Sequence, residues 1–416
     1  MMISASPYVR YGLALVGALF FLHLVGQLIS DRYAHHTSLD SAKVRLGLKE
    51  RPAEMWAAGH KLYPWEAPQP EMFEDEEGFN ATRAQEDKVR ATFVMLARNS
   101  DVWGAVESIR GLEDRFNRRY HYDWTFLNEE PFSDEFKRHT SGVASGKTRY
   151  GLIPKDDWLE GFPSWVNETR ARAAISEMGK QPIPYGGSIP YRHMCRYQSG
   201  KFFRHELLKG YEYYWRVEPD VKFYCDIVED PFVTMKRLDK SYGFVVSLYE
   251  YQATIPTLWQ TTKAFIDANP EYVAKPNLME WISNDGGKTY NGCHFWSNFE
   301  IARLDFWQGP AYSKYFEHLD KAGGFFYERW GDAPVHSLAA ALFLHPNQTH
   351  FFSNIGYFHN PFAHCPLPGN GVKCACSTST QDPPTGPAFE THGYSCTPKW
   401  KKLTGYKGGT PFAAHG

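Results

Sequence analysis

Tyr213-Tyr214-Trp215-Arg216-Val217-Glu218-Pro219-Asp220-Val221-Lys222-Phe223 is the stretch from which the fold can be read. An aromatic, β-prone run passes into an acidic tripeptide and then resumes as a second apolar run. Pro219 has a fixed φ and no N–H to give a sheet ladder, so a strand is expected to break there. Two carboxylates, Glu218 and Asp220, are then left at a strand end, where open α/β sheets bind their ligands. Paired acids at such an end suit a hard divalent cation and the diphosphate it bridges. An ordinary acidic turn between two strands carries the same signature, so the flanking chain has to decide.

Upstream, residues 91–97 have the pattern of a short buried strand. Val102, Val106, Ile109, Leu112 and Phe116 then recur at helical spacing over residues 102–117, and residues 124–127 form a second strand before a turn at 128–131. Strand, helix and strand within about forty residues read as a βαβ unit, hence a nucleotide-binding α/β layer. Later strands are expected at 213–217, 221–224 and 243–249. The run from Ser141 to Thr148 imitates a phosphate-binding loop, but three residues rather than four separate Gly142 from Gly146, and no strand pattern precedes it. No GxGxxG element follows the first strand, so a dinucleotide fingerprint is missing as well.

The chain has 416 residues, 43% hydrophobic and 16% aromatic, with 13 Trp and 25 Tyr. That supplies a packed core, and the aromatic excess fits carbohydrate or nucleotide stacking. A formal charge of −2 leaves no electrostatic footprint for nucleic acid. Residues 11–29 are apolar except for His23 and Gln27, long enough at helical rise to span roughly 28 Å of bilayer. This run is read as a signal anchor between a cytoplasmic tail (1–10) and a polar, Pro-interrupted stem (30–88), with a lumenal catalytic domain at 89–416. Sequons at Asn80, Asn167 and Asn347 are consistent with a lumenal location. Four of the seven cysteines crowd the C-terminus, at 365, 374, 376 and 396. Their spacing is poor for zinc and suits disulfides in an oxidising compartment. The pairing is open, and the odd total leaves at least one thiol unpaired or bridging between chains.

Three further segments carry candidate chemistry. In residues 189–197, Arg192 and Arg196 are placed to grip phosphate and Tyr191 to stack or donate its hydroxyl; surface cations beside packing aromatics would look the same. Glu300 lies among Phe299, Trp296 and Ile301. Such a carboxylate is either a salt-bridged core acid or one held in an apolar site beside a sugar carbon. Asp332 and Pro334 mark a helix start, with helix over 335–344, which puts His336 in a first turn that favours neutral imidazole. A histidine there is either structural or a metal ligand.

The blocks YEYYWRVEPDVKFYCDI (211–227), HFWSNFEIARLDFW (294–307), GGFFYERWGDAPVHSLAAALFL (323–344), SIPYRHMCRYQSGKFF (188–203) and ATFVMLARNSDVWGAVESIRGLEDRFNRRYHYDW (91–124) resemble the fungal Golgi α-1,2-mannosyltransferase family over roughly residues 88–400. The resemblance implies an α/β, GT-A-type glycosyltransferase fold, with a Rossmann-like layer around a mixed sheet. It also implies a single-pass type II Golgi membrane protein and retaining transfer from GDP-mannose, with Mn²⁺, to the 2-hydroxyl of mannose-terminated glycans on proteins. Position by position, the metal ligands of the family fall on Glu218 and His336, the active-site carboxylate on Glu300, and the tyrosine near the reaction centre on Tyr191. Arg98, Arg192, Arg216 and Asp220 join Tyr191 as expected donor contacts. Glu300 could then act as a nucleophile or as electrostatic support for an oxocarbenium-like transition state. Competing readings are a glycosidase, which needs no nucleotide, and a non-catalytic glycan-binding protein on the same fold.

Overall fold

The computed structural model describes residues 88–158, 161–366, 373–376, 389 and 393–406. The expected tail, the anchor, the sequon at Asn80 and almost all of the stem lie outside the described residues. Among those described, no helix is long and apolar enough to cross a membrane.

Seven strands make one sheet in the order β10-β6-β9-β4-β1-β2-β3. They are β1 (Ala91–Leu96), β2 (Asp123–Asn128), β3 (Thr148–Leu152), β4 (Tyr213–Arg216), β6 (Tyr242–Phe244), β9 (Glu300–Arg303) and β10 (Thr349–Phe351). Pairing is parallel except where β9 runs against β4 and β6, so the sheet is mixed, as expected. The first βαβ unit is β1, α1 (Val102–Leu112, continued by a wide turn over Glu113–Asn117) and β2. From β1 the chain crosses to β2 on one side and later returns as β4 on the other. That reversal makes a switch-point crevice at the carboxyl ends of β1 and β4, just where the chain leaves β4 through Glu218.

Both faces of the sheet are buried, which explains why the β4 sequence is apolar on both sides of its alternation. Tyr214 and Ala302 point into one core with helices α2 (Ile189–Gly200) and α3 (Asp332–Phe343); Phe93, Trp215 and Ile301 point into the other with α1. The expected strand at 243–249 is two strands. Phe244 ends β6 on the main sheet, while β7 (Ser247–Tyr249) turns away to pair with β8 (Cys293–Phe295). A third sheet, β12-β11-β5, joins Phe362–His364, Tyr357–His359 and Lys222–Phe223 beside the crevice.

The disulfides are Cys225–Cys374, Cys293–Cys396 and Cys365–Cys376, with Cys195 buried and unpaired. Two of the C-terminal cysteines thus pair far back in the chain, across separations of 149 and 103 residues. Restricting the unfolded chain over loops of that length is worth about 4–5 kcal/mol each. The second of these ties β8 to the start of α4 (Thr397–Thr404).

Candidate active site

Arg216, the last residue of β4, organises the crevice. Its Nη2 donates to Glu218 Oε1 at 2.5 Å and its Nη1 to Asp332 Oδ2 at 2.5 Å; Ser297 Oγ also donates to that Asp332 oxygen, at 2.7 Å. Burial pushes Glu218 up, but the Arg216 charge and the His359 contact outweigh it and hold its pKa at about 2. Asp332 behaves alike: burial opposes ionisation, and the Arg216 charge brings it below the usual carboxylate range. For Arg216 the cost of burial is overcome by Asp332 and Glu218, and its pKa rises.

His359, at the end of β11, brings Nε2 to 3.3 Å from Glu218 Oε2, while Nδ1 lies 3.0 Å from the Asn360 carbonyl. With Nδ1–H donating to that carbonyl, the Nε2 lone pair faces a carboxylate. Two acceptors face to face require a cation between them, either a proton or a metal. An imidazole plus a carboxylate, with the second ring nitrogen fixed by a backbone carbonyl, fits a first-row divalent ion. Burial lowers the His359 pKa, but the Glu218 hydrogen bond and charge more than offset this and raise it. Trp296 packs edge-on against the ring at 4.9 Å.

His336, expected as the second metal ligand, is partnered in the core by Glu300 and not by Glu218. Its Nδ1 lies 2.8 Å from Glu300 Oε2 and its Nε2 3.1 Å from the Gln198 carbonyl. The ring is fully buried and stacks on Trp307 at 4.3 Å. Glu300 shares this setting. It has no exposed surface, and its other oxygen accepts from the Tyr214 hydroxyl. Glu300 sits opposite Arg216 in the β4–β9 register. Asp332, expected as a helix cap, is buried as well and pairs with Arg216. Gly331 takes the cap position instead, which frees the Asp332 carboxylate for Arg216.

Tyr191 stands in the first turn of α2. Its hydroxyl accepts from Arg329 Nη1 at 3.1 Å, and Arg329 Nη2 stands 3.9 Å from Glu250 Oε1. The two other cations of its helix are structural. Arg192 donates to the carbonyls of Glu328 and Ser188 at 3.0 Å each, and burial with the neighbouring Arg329 charge brings its pKa down to about 10. Arg196 makes a buried two-pronged pair with Asp320 at 2.7 and 2.8 Å. Neither guanidinium is free to grip phosphate. Breaking the second pair with Asp320→Ala strands a buried charge and is expected to cost about 3–5 kcal/mol. A thermal melt unchanged from wild type would show that the pair contributes nothing.

Arg98 is exposed just after β1 and paired with Asp101 at 3.0 Å. Asp220 does not join Glu218 in an acid pair. It takes a left-handed φ of 63°, donates its N–H to the Gly104 carbonyl at 3.1 Å, and lays its carboxylate against Gly104 of α1. A Cβ at Gly104 would stand 2.5 Å from Asp220 Oδ1, so a larger residue there would push the exposed Asp220 carboxylate aside. The residues that sequence reasoning missed are His359, Arg329 and Glu250, along with the role of Asp332. Only His359 gave a signal, a polar ring ending an aromatic strand before Asn360-Pro361.

The sequence model of a family described as glycolipid 2-alpha-mannosyltransferase matches residues 58–405. The chain is 56% identical over 324 residues to glycolipid 2-alpha-mannosyltransferase 1 of Candida albicans, covering 77% of this chain and 73% of that protein. It is 53% identical over 317 residues to alpha-1,2 mannosyltransferase KTR1 of Saccharomyces cerevisiae, covering 76% and 78%. Among solved structures it is similar to core-mannan synthase A (CmsA/Ktr4) of Aspergillus fumigatus in its Mn/GDP form, with TM-score 0.71, 39% identity and coverage of 76% and 86%. Ktr4p of S. cerevisiae in complex with GDP gives TM-score 0.71, 38% identity and coverage of 76% and 82%.

Proposed function

The chain belongs to the glycolipid 2-α-mannosyltransferase family, and on that premise we propose that it transfers mannose from GDP-mannose, with retention, to the 2-hydroxyl of mannose-terminated glycans. It is an α-1,2-mannosyltransferase with a GT-A-like fold and a divalent-metal requirement. The observation that carries the site assignment is the facing of His359 Nε2 and Glu218 Oε2 at 3.3 Å, a nitrogen and a carboxylate oxygen that a proton bridges or a metal can bind in its place. Glu218 and His359 would hold the metal, which when bound neutralises the diphosphate as it leaves. Arg216 keeps Glu218 and Asp332 in fixed relation by donating to both. Asp332 Oδ2 is spent on Arg216 and Ser297, whereas Oδ1 makes no hydrogen bond among the described residues. That oxygen is the carboxylate atom available to a sugar carbon bearing developing positive charge. Arg329 orients the Tyr191 hydroxyl at the same mouth. Glu300, His336 and Tyr214 form a buried support under Arg216.

Residence in the Golgi membrane, with the apolar run 11–29 as anchor and the catalytic domain lumenal, belongs to the same proposal. Three disulfides and exposed sequon residues Asn167 and Asn347 support an oxidising lumen. The test is incubation of the purified protein with GDP-mannose and methyl α-mannoside in Mn²⁺ or in EDTA, with proton NMR of the product. A metal-dependent α-1,2-linked dimannoside is expected. Release of free mannose, or binding without turnover, would overturn the reading in favour of a glycosidase or a glycan-binding protein.

A further inference from the structure

We propose that Tyr249, Tyr251 and Tyr394 form an aromatic platform that carries the second and third residues of an α-mannoside acceptor; this rests on the mannosyltransferase reading of the adjoining crevice. Among the described residues nine large apolar side chains are exposed, and four of them are tyrosines: Tyr185, Tyr249, Tyr251 and Tyr394. Their placement is not scattered. Tyr185 stacks on Tyr191 at 4.5 Å with 6° between ring planes. Tyr249 and Tyr251 flank Glu250, whose carboxylate faces Arg329, the residue that holds the Tyr191 hydroxyl. The Tyr394 ring stands 6.5 Å from that of Tyr249, nearly perpendicular to it. Tyr185 therefore stands beside Tyr191, and Tyr249 and Tyr251 are adjacent in the chain to Glu250, which faces Arg329.

The platform is held rigidly. Tyr249 pairs with Cys293 in the β7–β8 ribbon. Tyr394 precedes Ser395, which bridges to Leu248 and donates its hydroxyl to the Ser247 carbonyl at 3.3 Å. The Cys293–Cys396 disulfide then locks the C-terminal segment to β8. The Tyr251 backbone N–H donates to Glu250 Oε1 at 2.7 Å, and the Arg329 N–H donates to Thr254 O at 3.0 Å, so this turn is fastened to the reaction mouth. Rigid tyrosines lose little conformational entropy on contact and offer both an apolar face and a hydroxyl. That pair of properties matches a pyranose, which has a C–H face and a polar edge.

Direction follows from the chemistry. The non-reducing mannose must put its 2-hydroxyl at the reaction centre, so the remainder of the acceptor has to leave outward. With the metal and diphosphate at the Glu218 end, the outward path lies over the Glu250 side, where these rings stand. The occupant is therefore an α-linked mannooligosaccharide of two or more residues, and a monosaccharide acceptor would not reach the platform.

The test compares methyl α-mannoside with α-1,2-mannotriose in the full-length protein and in Tyr251→Ala, Tyr394→Ala and Tyr394→Phe. Wild type should show a lower KM for the trisaccharide. Each alanine variant should raise that KM about tenfold, leaving KM for methyl α-mannoside and for GDP-mannose within about twofold, and Tyr394→Phe should retain the preference. Saturation-transfer NMR of mannotriose on the Mn²⁺/GDP-loaded protein reads the same contact without turnover, so failure of transfer and failure of the platform are separable. Loss of the signal from the second and third rings in the alanine variants supports the platform. An unchanged trisaccharide KM and NMR signal, an equal rise in KM for both acceptors, or a wild type indifferent to acceptor length would overturn it.

Discussion

A His359→Ala variant is expected to melt close to the wild-type temperature while losing Mn²⁺-dependent GDP binding, and His336→Ala to do the reverse. The His359 side chain is 30% exposed at the end of the short central strand of the three-stranded sheet, and its ring packs on Trp296. Removing it forfeits one edge-on aromatic contact, about 1 kcal/mol. It also deletes one of the two ligand atoms, which should weaken the metal site by at least ~100-fold and lower kcat/KM by about three orders of magnitude. His336 has no exposed surface and is the partner of Glu300 Oε2 and the Gln198 carbonyl. Its removal leaves a cavity and two orphaned acceptors, a cost of about 3–5 kcal/mol. Calorimetric titration of Mn²⁺ with GDP, beside a thermal melt of each variant, separates the two. Lost metal affinity with an unshifted melt in His336→Ala would restore the helix histidine to the ligand set and displace His359.

The first βαβ unit and the break at Pro219 were legible, because each rests on local rules of period and proline geometry, whereas the mixed sheet was implied only by the family resemblance. Helix α2 was not legible. From Arg192 to Gly200 only Met194 is not buried, so no polar stripe exists to mark a period, and its cations satisfy backbone carbonyls and Asp320 rather than a ligand. The switch of 243–249 between two sheets was likewise hidden, since Val245 and Val246 continue the apolar run through the bend. Glu218 was readable as a functional acid because proline fixes where it stands. The choice between His336 and His359 was not, because it depends on which ring nitrogens the tertiary fold leaves free. His336 belongs to a strong helix signal but is spent in the core, and His359 belongs to a three-residue strand with almost no signal. Local sequence identified the element types, and the charge pairing across elements decided the site.

That pairing also decides which carboxylate meets the substrate, and here Asp332→Asn should cost far more activity than Glu300→Gln. Asp332 is kept ionised, below the usual carboxylate range, by Arg216 beside it despite its burial. One of its oxygens is held by Arg216 and Ser297. An amide at this position preserves shape but removes the charge that would oppose an oxocarbenium-like centre. We expect kcat to fall by about 10²–10³. GDP affinity in Mn²⁺ should change only a few-fold, because Arg216 keeps its contact with Glu218. Glu300→Gln disturbs a different level of the structure. Both Glu300 oxygens are engaged, by Tyr214 and His336, in a place with no exposed surface. The amide must present a donor where two donors already point, which should cost about 3 kcal/mol and lower the melting temperature by roughly 4–5 °C for a domain of this size. Turnover of the folded Glu300→Gln protein should still exceed that of Asp332→Asn, since its effect reaches the crevice only through Arg216 and the β4–β9 register. If instead Glu300→Gln kept its melting temperature and lost more turnover than Asp332→Asn, the buried glutamate would be the reacting carboxylate. β9, which lies between β4 and β6, would then have to shift when donor binds, and amide exchange of Glu300 to Arg303 with and without Mn²⁺ and GDP would register that shift.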